Sequence, residues 1–300
     1  MGKENRMGQD LQAKETGIAQ PSLHQWLADQ GRYELDALVL DIDGVLLAGK
    51  HAMPGAVAFI EYLHRIDMPF ALLTNDGCHS PEEKCGFLKN CGTAVESDDI
   101  VSCGHGIWEI VEEKGWSSLQ FFVMGSLGEP CYARRAGVSV STDIEDLADC
   151  QGVIVGEKEY DWYNVITGVF NAFARDPDKL LIVPNPDEFF PSGPETLGIA
   201  SGAVGRFLQQ LCTAVGIEKE PIYLGKPYEP IFQYNHHHLE KRVGRQMERE
   251  RVLMVGDSLS SDIPGAQHFG YKTALMLTGI TSPEKLADSA DQPDMVFESL

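Results

Sequence analysis

Eight short apolar runs separated by longer amphipathic segments limit what this chain can fold into. They are ALVLD (37–41), FALLTN (70–75), FFVMG (121–125), GVIVG (152–156), LLIVPN (180–185), PIYLGK (221–226), RVLMVGD (251–257) and KTALML (272–277). None alternates apolar with polar residues, as a strand with one wet face would, so each reads as a strand covered by helices on both sides. The pattern specifies an α/β fold built on a doubly wound parallel sheet. Helices fit the intervals PGAVAFIEYLHR from Pro54, SPEEKCGFLKNCG from Ser80 and IPGAQHFG from Ile263. The second has a serine cap, proline at its first position, Glu83 three residues after the cap and Gly92 as a stop.

Four runs end in chemically pointed residues: Asp41 and Asp43, Thr74 and Asn75, Lys226, and Asp257. Ligands of open α/β sheets bind outside the carboxyl ends of the strands, so these residues can converge on one site. Asp41 to Thr74 is 33 positions and Lys226 to Asp257 is 31, each about one βα unit. Thr74 to Lys226 is 152 positions, several units too many. The expected organisation is therefore a polar tail over 1–20, a discontinuous core of 21–102 and 205–300, and an inserted α/β cap over 103–204.

Two acids one residue apart can address one reacting group. As the start of an EF-hand loop the pattern fails, because the sixth and twelfth positions from Asp41 hold Leu46 and Ala52 instead of Gly and Glu. A pair of solvated strand-end acids is the plain alternative, and the other strand ends weigh against it. One carboxylate can attack a phosphate monoester while the second gives a proton to the leaving oxygen and later takes one from water. Repulsion between the attacking carboxylate and the phosphoryl dianion calls for a divalent cation and a fixed ammonium. Asp41 with Asp257 suits Mg²⁺, Lys226 supplies the ammonium, and Thr74 can donate to phosphoryl oxygens. Asn75 can touch phosphate or substrate.

The formal charge of −21 opposes binding to nucleic acid, which needs a basic surface. No run reaches the roughly 18 apolar residues of a membrane span, and the N-terminus lacks the apolar core of a signal peptide. A cytoplasmic protein is expected. Seven cysteines without a C-x-x-C pair indicate reduced thiols.

The segments DIDGV, LLTN, GKP and VGDSLSSD, in that order, resemble the four motifs of the haloacid dehalogenase superfamily, in the group with a large α/β cap between the second and third motifs (subfamily IIA). The resemblance runs from about residue 33 to the C-terminus and implies a Rossmann-like core with a mobile cap. It implies Asp41 as nucleophile, and Asp43 as general acid/base and backbone metal ligand, with Gly44 beside it at the substrate. Thr74 and Lys226 would hold the phosphoryl group, Asp257 would ligate Mg²⁺, and Asp262 would join the metal site directly or through water. NPDEFFP from Asn185 resembles a cap segment near the active site, which brings Asn185 and Asp187 in as substrate contacts. SGAVGRFL from Ser201 resembles the return to the core, and a homodimer through the cap is implied by resemblance alone.

Asp43 directs the expected reaction to phosphate, since the dehalogenases lack that acid. The implied function is a Mg²⁺-dependent phosphatase of a small phosphorylated metabolite. The second motif departs from the usual Thr-Asn-Asn-Ser/Thr-Arg: in TNDGCHSPEE, Asp76 and His79 stand where neutral and basic residues are usual, which predicts a more acidic substrate site. That loop also motivates a different class, a binding or scaffold protein on the same fold, with a phosphotransferase as a further alternative. His236 to His238 fall on one helix, where consecutive side chains spread around the axis and cannot share an ion.

Overall fold

The computed structural model describes residues 22–157, 160–193 and 196–300; the expected tail over 1–20 lies outside them. In chain order, the strands of its two larger sheets are β1 (Ala37–Leu40), β2 (Phe70–Thr74), β3 (Ile100–Ser102), β4 (Gln120–Met124), β5 (Ser139–Ser141), β6 (Gly152–Val155), β7 (Leu180–Val183), β8 (Ile222–Tyr223), β9 (Val252–Gly256), β10 (Lys272–Met276) and β11 (Met295–Phe297). The longer helices are α1 (Ala56–Arg65), α2 (Pro81–Asn90), α3 (Gly106–Lys114), α4 (Trp162–Arg175), α5 (Ser201–Ala214), α6 (Glu229–Val243) and α7 (Asp262–Phe269).

The first sheet has the order β11-β10-β9-β1-β2-β3, and all its neighbours are parallel. Alternate residues of each strand face opposite layers. Leu38, Leu40, Leu72 and Val255 pack with Phe59, Ile60 and Leu63 of α1 and Leu88 of α2. Val39, Leu73 and Met254 pack with Ile231, Phe232 and Leu239 of α6 and Ala266 and Phe269 of α7. Helices on both faces explain why these strands read as unbroken apolar runs. The chain winds outward from β1 through β2 to β3 and then from β9 to β11 on the other side, so the topological switch falls between β1 and β9. Asp41 and Asp257 follow those two strands.

The second sheet, β8-β7-β6-β4-β5, is also parallel. Phe122, Val153 and Leu181 face α4 and α5, while Phe121, Val123 and Ile154 face Ile107, Ile110 and Val111 of α3. Its assignments differ from the sequence reading in one respect. The division at residue 205 gave most of α5 and the run PIYLGK to the core, yet Val204, Leu208 and Cys212 of α5 pack on the second sheet and β8 pairs with β7. We propose that the inserted unit runs to about residue 223. Strands β3 and β11 end the first sheet and went unread, being only three residues long.

The capping signals of α2 are realised: Ser80 Oγ accepts the Glu83 N–H, and the Glu83 carboxylate accepts the Ser80 N–H. His236, His237 and His238 take different partners, Tyr271, Gln233 and the Asp98 carbonyl, as their angular spread requires. Among the described residues no helix is long and apolar enough to cross a membrane.

Gly265 links the fold to the segment that carries Lys226. A Cβ there would lie 2.7 Å from Pro227 Cα and 2.6 Å from Phe232 Cε2, so α7 can pass this close to the backbone only because the side chain is missing. Gly265→Ala should therefore overpack this contact and lower stability by about 1–3 kcal/mol in urea denaturation. An unchanged midpoint would show that the contact has slack.

Candidate active site

β1 ends at Leu40, and the chain turns at Ile42, so the two acids of DIDG part company. The Asp41 N–H continues the ladder by donating to the Val255 carbonyl at 2.8 Å, which fixes its buried side chain at the switch point. The Asp43 carboxyl opens to solvent, yet enough protein surrounds it that burial raises its pKa. Gly44 turns with φ +82°, and a Cβ there would lie 2.2 Å from Asp257 Oδ2. Its carbonyl accepts the Thr278 hydroxyl.

Lys226 is 2% exposed, and its ammonium donates to Asp41 Oδ1 at 2.7 Å, Asp262 Oδ1 at 2.7 Å and the Leu73 carbonyl at 3.0 Å. Burial alone would lower its pKa, but Asp262 and Asp41 outweigh burial and hold it protonated. Burial raises the Asp41 carboxyl, Lys226 opposes that rise, and Asp262 and Asp257 reinforce it. Asp257 is raised to about 7 by burial and by Asp262. One donor oxygen from each of Asp41, Asp257 and Asp262 lies within 4.8 Å of the others. Fully ionised, three buried carboxylates against one ammonium carry two negative charges in excess, which a divalent cation matches, and an all-oxygen donor set suits Mg²⁺.

The three acids are not equivalent. Asp262 Oδ1 accepts from Lys226, and its Oδ2 accepts the N–H groups of Asp257 and Ser258, so both oxygens are engaged. Gly256 permits that approach, because a Cβ there would lie 2.3 Å from the Asp262 carboxylate. Asp41 has Oδ1 committed to Lys226 and Asp257 has Oδ2 committed to the Ile280 N–H. Asp41 and Asp257 are thus better placed than Asp262 to ligate an ion.

Thr74 ends β2 and is buried, and its Oγ1 accepts the Asp76 N–H at 3.1 Å, leaving its own O–H to donate. Two expected substrate contacts are used otherwise. Both N–H groups of the Asn75 amide are taken, one shared by the Asp187 carboxylate at 3.2 Å and one by the Lys226 carbonyl at 2.9 Å. Its Oδ1 accepts the Lys226 N–H at 2.8 Å. Asp76 Oδ1 accepts the N–H groups of Cys78 and His79, while its Oδ2 meets His79 Nδ1 at 2.8 Å and the ammonium of buried Lys84. Burial would raise Asp76, but Lys84 and His79 reverse that and hold it far below the usual carboxylate range. The expected increase in acidity at this rim is therefore cancelled by Lys84, a residue that the helix pattern of PEEKC did not single out.

In the second sheet's loops, Asn185 donates to Glu157 at 2.5 Å and its Oδ1 accepts the Asp187 N–H, so it shapes its own loop, and Asp187 makes the reach to Asn75. Burial raises the Asp187 carboxyl, against the pull of Asn75 and Lys226. Glu157, Gly279 and Thr281 were also missed. Thr281 Oγ1 donates to the Asp257 carbonyl, and a Cβ on Gly279 would collide with the Asp257 carboxylate. The strand-end rule that found Asp41 would have found Glu157 after β6 and residues 278–281 after β10, had it been applied to every run.

Residues 38–139 match a family model described as haloacid dehalogenase-like hydrolase, and residues 223–300 match one described as HAD-hydrolase-like. The acid sugar phosphatase of Staphylococcus saprophyticus is 23% identical over 271 residues, covering 88% of this chain and 95% of that protein. Chronophin of Rattus norvegicus is 27% identical, with 88% of this chain and 84% of that protein covered. The crystal structure of a hypothetical protein from Pyrococcus horikoshii superposes with a TM-score of 0.75 at 29% identity, over 88% of this chain and 96% of that one. With the motifs gathered at the switch point of a doubly wound sheet and a second α/β sheet inserted between them, the chain belongs to the haloacid dehalogenase-like hydrolases, in subfamily IIA.

Proposed function

We propose that this chain, a hydrolase of phosphatase type, cleaves a small phosphorylated metabolite through an aspartyl-phosphate on Asp41, with Mg²⁺ as cofactor. The observation that carries this reading is the Lys226 ammonium bridging Asp41 and Asp262 beside Asp257, with the Asp43 carboxyl open to solvent two positions on from Asp41. The phosphatase names of the relatives support the reaction class.

Asp41 attacks phosphorus, forming a carboxylate–phosphorus bond as the ester P–O bond breaks. Asp43 passes its proton to the departing alkoxide, a role suited to a carboxyl whose pKa burial has raised. Water then enters the leaving group's place and gives a proton to the Asp43 carboxylate. The resulting hydroxide attacks phosphorus, the Asp41–phosphate bond breaks, and phosphate leaves with the Asp41 carboxylate restored. Lys226 fixes the attacking carboxylate's orientation and balances charge on the phosphoryl group throughout. Thr74 donates its hydroxyl to a phosphoryl oxygen. Asp41, Asp257 and the Asp43 carbonyl would hold Mg²⁺, which when bound supplies a Lewis acid that draws charge from the phosphoryl oxygens. Asp262 acts through Lys226.

Asp41→Asn should abolish phosphate release from an aryl phosphate, and EDTA should do the same to the parent protein until Mg²⁺ is restored. Undiminished release by Asp41→Asn would sink the assignment.

Asp43→Asn should lower kcat by about 10²–10⁴-fold with an alkyl phosphate. The loss should be smaller with an aryl phosphate, whose leaving oxide needs less help from an acid. Equal losses with both esters would mean that Asp43 does not protonate the leaving group.

A further inference from the structure

The turn between β2 and α2 brings together a second group of ligand-type side chains. One donor atom from each of Asp76, Cys78 and His79 lies within 4.8 Å of the others. A carboxylate, a thiol and an imidazole form a mixed oxygen, sulfur and nitrogen set, unlike the all-oxygen group of Asp41, Asp257 and Asp262. Sulfur and nitrogen donors favour zinc-class ions over Mg²⁺. We propose that Asp76, Cys78 and His79 form a site for a zinc-class divalent ion, separate from the three-acid group, whose occupancy inhibits turnover.

The backbone carrying these donors is held from several directions. Asp76 Oδ1 accepts the N–H groups of Cys78 and His79 at 2.8 and 3.3 Å. Ser126 Oγ donates to the Cys78 carbonyl at 3.4 Å, and the Tyr132 hydroxyl donates to the His79 carbonyl at 3.0 Å. The capping box of Ser80 and Glu83 fixes the chain immediately afterward. Donors fixed in this way lose little freedom when an ion binds.

Binding exchanges protons for the ion. The Cys78 thiol releases its proton to solvent, and His79 binds as neutral imidazole. With Nδ1 2.8 Å from Asp76 Oδ2, the ion takes the place of the proton between them. Both Asp76 oxygens are engaged, Oδ1 by two N–H groups and Oδ2 by Lys84 as well as His79, so an ion must compete with the ammonium for Oδ2, and binding is reversible rather than structural. The Asp76 N–H holds Thr74 Oγ1 at 3.1 Å, and movement of Asp76 toward an ion therefore disturbs the residue that ends β2 at the candidate active site.

Cobalt(II) is the probe, because a thiolate bound to cobalt gives a near-ultraviolet charge-transfer band. Chelator-treated full-length protein in excess Mg²⁺ should take up one Co²⁺ per chain with this band, and Zn²⁺ should displace it. Cys78→Ser should abolish the band, and His79→Asn should weaken Co²⁺ binding by at least about tenfold, with both variants keeping the parent's thermal melting profile. Asp41→Asn should retain the band. Micromolar Zn²⁺ should inhibit aryl phosphate turnover in excess Mg²⁺ in the parent but not in Cys78→Ser. Absence of the band, its persistence in Cys78→Ser, or its loss in Asp41→Asn would overturn the site. The absorption is read without turnover, so a failure of the phosphatase reading leaves this outcome legible.

Discussion

The Lys226 ammonium is the contact on which the arrangement of the site depends. It binds Asp41 after β1, the Leu73 carbonyl in β2 and Asp262 at the start of α7, so one buried cation ties two strands of the first sheet to a helix that covers it. A buried ammonium is stable only when its hydrogen bonds are satisfied, and here all three N–H groups find an acceptor. The backbone is held as well, since Asn75 accepts the Lys226 N–H and donates to its carbonyl. Lys226 nevertheless follows β8, a strand of the second sheet. Its position relative to Asp41 is therefore set jointly by both sheets.

The same joint dependence explains the contacts around the β2–α2 turn. Asn75 reaches Asp187, the Cys78 carbonyl takes the Ser126 hydroxyl, and the His79 carbonyl takes the Tyr132 hydroxyl. Each contact joins this turn to a loop or helix of the inserted unit. The exposed Arg135–Glu82 pair adds little beside them, because solvent screens it. This turn beside the candidate active site thus also carries contacts to segments that follow strands of the second sheet.

Most of the first sheet was legible because strands buried on both faces must be apolar throughout, which made β1, β2, β9 and β10 visible as runs. The three-residue strands β3 and β11 carry too little pattern to be read. Asp41, Thr74, Lys226 and Asp257 came from the strand-end rule, and that rule depends on topology, which spacing constrains. Asn75 and Asp76 were read as substrate contacts and both brace backbone in the structure: a polar side chain near a site can bind substrate, brace the backbone or do both, and the sequence does not distinguish these roles. The boundary read at residue 205 differs from the later one we propose because α5 is amphipathic whichever sheet it covers. Only the packing of Val204, Leu208 and Cys212 decides between them.

Lys84 shows why the local charge of a motif is a poor guide to the charge of a site. In sequence, Asp76 adds an acid next to Asp41 and Asp43. In space, Lys84 reaches back from the first turns of α2 to the same carboxylate. After burial, which raises the Asp43 carboxyl most, Lys84 and Asp76 are the next influences and act in opposite directions. Burial is the leading influence on both carboxyls, and what separates them is contact: Asp41 is buried with the Lys226 ammonium at 2.7 Å, while Asp43 opens to solvent. Two acids one residue apart are therefore given different environments, the condition under which one can serve as nucleophile and the other as proton donor.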